Sequence, residues 1–203
     1  MDYNLLSYYI KPNTLIDIGA HIGNFTQNIL RTSPQCLCYL IEANPHCEQY
    51  LQKLNQPYQI VGLSSNERTE DLYVENQNII GTGASLYKEN TEFYSESKYY
   101  KLPIKLITLD SLKLFSDQVI DLVKIDTQGS ELDILIGGSK TIKRTRYVVL
   151  EVSVLEYNHK APLVDVVMKK MNEYSFKIED ILDYKIINNQ IFQMDFLIKN
   201  KYL

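Results

Sequence analysis

The chain has 203 residues, 45% of them hydrophobic and 23% charged, with 25 acidic against 21 basic side chains. One three-layer core suits that length better than two, and a net charge of -4 argues against broad binding to nucleic acid or anionic membrane. No apolar run reaches the roughly 18 to 20 residues of a spanning helix, and the start has no basic head before its short apolar stretch, so it does not read as a signal peptide.

Residues 15–18 form the first predicted strand, which runs into Gly19 and Gly23, and 24–30 then takes a helical period. The unit repeats with a strand at 37–41, ended by Glu42. Asn44 and Pro45 open a helix to about residue 54, the first as a cap and the second where a missing N–H costs nothing. Residues 59–63 make a third strand, closed by Ser64, Ser65 and Asn66. This alternation predicts a parallel α/β start. From 66 to about 106 the pattern changes to short strands at 71–74 and 84–87 and a longer one at 98–107, with Pro103 marking an edge or bulge. That block reads as an antiparallel insertion. The α/β grammar resumes with a strand at 121–125 that ends at Asp126 and a helix at 129–139, weakened by Gly137 and Gly138. A strand at 147–152, a helix from 162 to about 174, and strands at 174–178 and 191–198 close the chain. The alternation of Phe192, Met194, Phe196 and Ile198 fits a strand paired beside the parallel sheet. Cys36, Cys38 and Cys47 complete no four-ligand site, and read as buried reduced thiols of a cytoplasmic protein.

The chemistry concentrates at strand ends. Asp17-x-Gly19-x-x-x-Gly23, between strand and helix, reads as a cofactor loop, since glycine lets backbone approach a ligand and the helix start offers free N–H groups. A dinucleotide loop would carry glycine at position 21, which is His here, and an acidic residue just before the first glycine repels phosphate. Asp17 suits instead a ligand with an ammonium group, such as the methionine part of S-adenosylmethionine. Glu42, 23 residues after Gly19, is placed to accept both hydroxyls of a ribose. Asp126 ends the fourth strand where the crevice of such a sheet opens, so it can bind a cofactor ammonium, orient an acceptor hydroxyl, or both. Glu131 sits in the first turn of the next helix and suits either the site or a helix cap. Glu151 interrupts an apolar strand, which a crevice position would explain. Asp126 and Glu151 make an acidic pair around the acceptor, and mutual repulsion between two carboxylates can provide a base. The same pair could hold Mg²⁺, but nothing else in the sequence requires a metal and none is expected.

On these residues the chain resembles the FkbM-type class I methyltransferases, which use S-adenosylmethionine. The resemblance is carried by the segments 17–26, 41–45, 62–64, 108–112, 121–135 and 151–153 in that order. It implies a Rossmann-like, mostly parallel seven-stranded sheet with a reversed last strand, over one domain of residues 1–203 with 66–106 as a substrate-side insertion. It also implies that Gly19, Ala20, His21, Gly23 and Asn24 line the methionine and ribose side of the cofactor. Glu42 would hold the ribose, Ala43 and Asn44 would lie beside the adenine, and Ser64 near its edge. The implied activity is O-methylation of a small-molecule or glycan acceptor, with a sugar hydroxyl expected first. Tyr87, Phe93, Tyr94, Tyr99 and Tyr100 would supply stacking surface, and acceptor choice would fall to the insertion, the C-terminal loops or a homodimer partner. One alternative is RNA ribose 2′-O-methylation, for which Lys124, Asp126 and Glu151 are present but a second lysine is missing from the following helix start. The acidic balance counts against nucleic acid. The other alternative is a non-catalytic protein that keeps S-adenosylmethionine, against which the intact acids at 17, 42, 126 and 151 speak.

Overall fold

The computed structural model describes residues 1–90, 95–116 and 118–203. Phe93 and Tyr94 of the expected stacking surface lie outside them. In chain order the elements are α1 (Tyr3–Tyr9), β1 (Thr14–Ile18), α2 (Asn24–Thr32), β2 (Leu37–Glu42), α3 (Glu48–Leu51), β3 (Tyr58–Ile60), β4 (Gly62–Leu63), β5 (Arg68–Glu75), β6 (Tyr99–Ile107) and β7 (Ile120–Ile125). Then come α4 (Glu131–Gly137), α5 (Ser139–Lys143), β8 (Thr145–Ser153), α6 (Val164–Glu173), β9 (Phe176–Ile187) and β10 (Gln190–Asn200).

Seven strands form one sheet in the order β3-β2-β1-β7-β8-β10-β9. β10 pairs antiparallel with both neighbours, while the pairings among β3, β2, β1, β7 and β8 are parallel. The strand alternation splits the core into two layers. Ile16, Val123 and Leu150 face α4, α5 and α6 through Ile134, Ile142 and Met171. Leu15, Leu122 and Val149 face α1, α2 and α3 through Leu6, Phe25 and Leu51. The expected Rossmann-like architecture with a reversed last strand is therefore the observed one.

Several local readings differ. α1 has no counterpart in the sequence reading, and Asp2 caps it by accepting the N–H groups of Asn4 and Leu5 at 2.9 and 3.0 Å. The helix expected to 54 is broken into 3-10 turns at Pro45–Cys47 and Gln52–Leu54 around α3. The strand read at 59–63 divides, with β3 in the large sheet and β4 in a small sheet of order β4-β6-β5. Residues 84–87 make an isolated bridge between Ser85 and Tyr73, where a strand was expected. The helix read at 129–139 is two helices. The break falls at Gly138, and the last residue of α4, Gly137, is glycine where a Cβ would lie 2.1 Å from the Ser64 carbonyl oxygen. The three cysteines are free and buried, as expected.

Candidate active site

Four strand exits build the site. β1 ends at Gly19, whose φ of +70° is in the left-handed region and whose N–H donates to the Ile41 carbonyl at 2.9 Å. A Cβ on Gly19 would sit 1.8 Å from the carbonyl oxygen of Asp126, so the exits of β1 and β7 are held at a distance only glycine permits. From β2, the buried Glu42 carboxylate accepts the backbone N–H of His21 at 2.7 Å and of Asn44 at 2.8 Å. Burial pushes the Glu42 pKa up, against the pull of those two amides. The His21 imidazole Nε2 lies 2.5 Å from the Ile80 carbonyl oxygen, and the Asn44 amide donates to Ile79 O at 2.7 Å. These contacts pin the segment after β5 across the rim.

Lys124 of β7 braces the glycine loop from inside the sheet. Its Nζ donates to the Gly19 carbonyl at 2.7 Å and stands 3.6 Å from Asp17 and 3.4 Å from Asp126. Burial opposes its charge, but Asp126 and Asp17 outweigh burial and raise its pKa. Asp17 itself is fully buried and accepts the Thr26 hydroxyl at 2.7 Å. It organises the loop from beneath and does not line the cavity.

The turn after β7 is fixed by its own side chains. Gln128 has a φ of +58°, and its carbonyl accepts the Ser85 hydroxyl at 2.7 Å and the Asn158 amide at 2.8 Å. Glu131 Oε1 accepts the N–H groups of Thr127 and Gly129 at 3.1 and 3.0 Å and the Thr127 hydroxyl at 3.1 Å. Burial pushes its pKa up against these donors. Its donors all precede α4, so Glu131 fixes the turn into the helix, and it does not line the cavity.

Asp126 and Glu151 come together through Gln128, whose amide nitrogen donates to Glu151 Oε2 at 2.6 Å and Asp126 Oδ1 at 3.2 Å. The Lys185 ammonium on β9 donates to Glu151 Oε1 at 2.5 Å and Gln193 Oε1 at 3.1 Å. Gln193 in turn donates to Gln128 Oε1 at 3.2 Å, which closes the ring. Burial, and then the Asp126 charge, raise the Glu151 pKa. Asp126 is held low: burial works against it, but Lys124 prevails. An added proton therefore settles on Glu151 first.

The cavity at these exits has a volume of about 390 Å³, within the range of small-molecule sites. Of the residues named from sequence, Gly19, His21, Glu42, Ala43, Asn44 and Asp126 line it. Ala20, Gly23, Ser64 and Glu151 are buried outside the lining, and Asn24 is exposed at the start of α2. A Cβ on Gly23 would meet Leu54, Ala20 packs in the α2-side core, and Ser64 Oγ accepts from Arg68. Sequence reasoning missed Thr127, Gln128 and Lys185 in the lining. The first two lie inside a segment it had singled out, whereas nothing local marks Lys185. Leu72, Ala84, Leu86 and Ile104 of the insertion form an apolar opposite wall. Among the described residues no group of three or more His, Cys, Asp or Glu is arranged to hold a metal ion, and no helix is long and apolar enough to cross a membrane.

Residues 17–178 match the family described as "Methyltransferase FkbM domain". The chain is 25% identical over 178 residues to the 2-O-methyltransferase NoeI of Sinorhizobium fredii (strain NBRC 101917 / NGR234), an alignment covering 78% of this chain and 72% of that protein. Its structure is similar to methyltransferase FkbM from Methylobacillus flagellatus KT, with a TM-score of 0.59 at 15% identity. That match covers 97% of this chain and 48% of the other, so this chain spans about half of that protein. It is also similar to M. capricolum TrmK in complex with S-adenosyl-homocysteine, with a TM-score of 0.55 at 11% identity over 98% of this chain and 68% of that one. At such identities the structural likeness is one of fold.

Proposed function

The chain belongs to the FkbM family of S-adenosylmethionine-dependent methyltransferases, and from that premise we propose that it methylates a hydroxyl of a sugar or glycoconjugate. The observation that carries this reading is a cavity lined by Gly19, Glu42 and Asp126, in which Asp126 is backed through Gln128 by the buried carboxylate of Glu151. The name of the S. fredii relative, a 2-O-methyltransferase, supports oxygen as the acceptor atom.

The residues fit the cofactor. Gly19 leaves a cradle that a Cβ would fill, and the two amides on Glu42 fix a carboxylate at the rim that can accept ribose hydroxyls. Val61, Leu63 and Ile104 offer an apolar slot for a flat base. Asp126, about one-third exposed, faces the cavity with a charge suited to an ammonium or a hydroxyl. Asp17, Ala20, Gly23 and Ser64 shape that cradle from behind, Asn24 opens the helix that follows it, and Ala43 and Asn44 complete its rim. Bound there, S-adenosylmethionine supplies a methyl group on a positively charged sulfur.

Asp126 orients the acceptor hydroxyl and takes its proton as the new O–CH3 bond forms, while Lys124 and Gln128 hold its carboxylate in place. Glu151 shares that proton through the bridged pair. Glu131 serves the reaction only by fixing the turn that carries Gln128. Leu72, Ala84 and Leu86 of the insertion exclude water and receive the non-reacting part of the acceptor, with the whole of 1–203 acting as one unit. The acids outnumber the ammoniums at this end, and both ammoniums are already paired. That balance favours a neutral polyol over a phosphate-bearing acceptor.

One observation favours the RNA reading. Lys185 brings a second ammonium to the carboxylate pair, from β9 instead of the helix start. The test is therefore calorimetric titration with S-adenosylhomocysteine beside NADH, followed by transfer of labelled methyl to sugars, glycolipids and RNA. Binding of the first ligand alone and label in a sugar hydroxyl are expected. Label in RNA with none in any sugar overturns the glycan acceptor, and absence of S-adenosylhomocysteine binding overturns the enzymatic reading.

A further inference from the structure

Glu151 lies under the cavity with a side chain only 5% exposed. Each element packed around it presents charged or titratable groups. β7 brings Asp126 and Lys124, β10 brings Asp195, β9 brings Lys185 with Asp183 beside it, and the segment after β8 brings Tyr157. A buried carboxylate among further acids stays ionised only if a cation is in contact with it. Lys124 is committed to Gly19 O, Asp17 and Asp126. Among the described residues, the ammonium in hydrogen-bond contact with Glu151 is that of Lys185, at 2.5 Å.

The sheet explains how a residue two strands away makes that contact. β10 lies between β8 and β9, and its Gln193 is opposite Ser153 on β8 and Lys185 on β9. Gln193 Oε1 tethers the ammonium at 3.1 Å and its amide reaches Gln128 at 3.2 Å, so one side chain aligns both groups that bind Glu151. Lys185 is half exposed and lines the cavity, which puts the charge where the acceptor must enter. Both Lys185 and Gln193 lie beyond residues 17–178, outside the family match.

We propose that Lys185 is a positioning residue for methyl transfer: tethered by Gln193, its ammonium holds buried Glu151 turned to Gln128 and eases the loss of its proton, so that the Asp126–Glu151 pair can take up the acceptor proton. The proposal rests on the hydroxyl-methylation reading. During transfer the acceptor O–H bond breaks, the O–CH3 bond forms, and the C–S electron pair leaves with sulfur. The proton enters the carboxylate pair, and does so most readily once Glu151 has given up its own. Burial and the Asp126 charge push Glu151 up to about 8 even beside Lys185; without that ammonium it holds its proton more tightly still, and the pair opens only at higher pH.

The test reads Glu151 directly by carboxyl ¹³C NMR of protein labelled at glutamate, with the resonance assigned by Glu151→Gln. Lys185→Met is expected to raise the Glu151 titration midpoint by at least about one unit, a tenfold change in proton affinity, while Lys185→Arg leaves it near the wild-type value. If the Met variant does not fold, Lys185→Gln keeps a hydrogen bond and removes the charge, and the same upward shift is expected. Once an acceptor is known, the acid limb of the kcat profile should move to higher pH in the Met variant and return in the Arg variant. An unchanged midpoint in folded Lys185→Met or Lys185→Gln overturns the role of Lys185 and leaves the activity reading intact. Because the NMR readout needs no acceptor, failure to methylate any hydroxyl overturns that reading separately.

Discussion

Replacing Gly19 by alanine tests the contact on which the cradle depends. The new Cβ would lie 1.8 Å from the Asp126 carbonyl oxygen, 2.9 Å from its carbon and 3.3 Å from the Thr127 methyl. The obstructing atoms are backbone, so no rotamer change relieves the clash, and the exits of β1 and β7 must part by about 1.2 Å to reach 3.0 Å. The left-handed φ of +70° adds about 1–2 kcal/mol for a residue with a Cβ, and overpacking of this kind costs about 1–3 kcal/mol more. The sum is about 2–5 kcal/mol, or a fall in Tm of roughly 4–20 °C for a chain of this size. Parting the strands also stretches the Lys124 bond to Gly19 O and displaces Asp126, so affinity for S-adenosylhomocysteine should fall at least about tenfold. Thermal unfolding and calorimetry measure the two effects. Gly83→Ala is the control, because a Cβ there meets nothing within 4 Å. If Gly19→Ala unfolds within about 2 °C of wild type and binds the ligand equally well, the close approach of β1 and β7 is wrong.

Asp126→Asn keeps the shape but removes the proton acceptor, and single-turnover methyl transfer should slow about 10²- to 10⁴-fold; full activity would remove Asp126 from the chemistry. Asp195 on β10 has its pKa raised to about 6 by burial and by the Asp126 charge. The folded state thus binds that proton more tightly than the unfolded chain, so ionised Asp195 costs stability above pH 6 and the cost lifts as pH falls toward 4. Asp195→Asn should gain up to about 3 kcal/mol at pH 7.5 and nothing below about pH 4 in denaturant titrations; a gain independent of pH would contradict this. Burial pushes the Cys47 thiol up to about 12, the contact between Cys36 and Cys38 lowers the first and raises the second, and all three are buried. At pH 8 iodoacetamide should label none of the three until the protein unfolds, and rapid labelling of the native protein would refute their enclosure.

The legible part of the site is the part written in contiguous residues. Gly19, Glu42 and Asp126 each end a strand, and a parallel sheet opens its crevice at those ends whatever the rest of the chain does. Glu151 announced itself as a charge inside an apolar run. Asp17 was found by the same rule but misplaced, because alternation along β1 turns its side chain to the α2 side beside Leu15. Lys185 and Gln193 could not be read, since their meeting depends on the register of β10 against two strands and on bulges between β9 and β10. The division at Val61 was equally hidden: its N–H bonds to Glu42 O at 2.8 Å and the chain then changes sheets, a choice set by tertiary pairing and not by local propensity.

The position of β10 also divides the site between two parts of the sheet. β9 has one neighbour in the large sheet, and that neighbour follows it in the chain. β9 therefore joins only as one arm of a docked hairpin, whereas β1, β2, β3, β7 and β8 close through parallel crossovers without it. The cradle at Gly19 and Glu42 stands on strands that β9 does not touch, whereas the ammonium beside Glu151 is carried by β9. Loosening the terminal hairpin would therefore strip a charge from the carboxylates while leaving the strands of the cradle paired as they are.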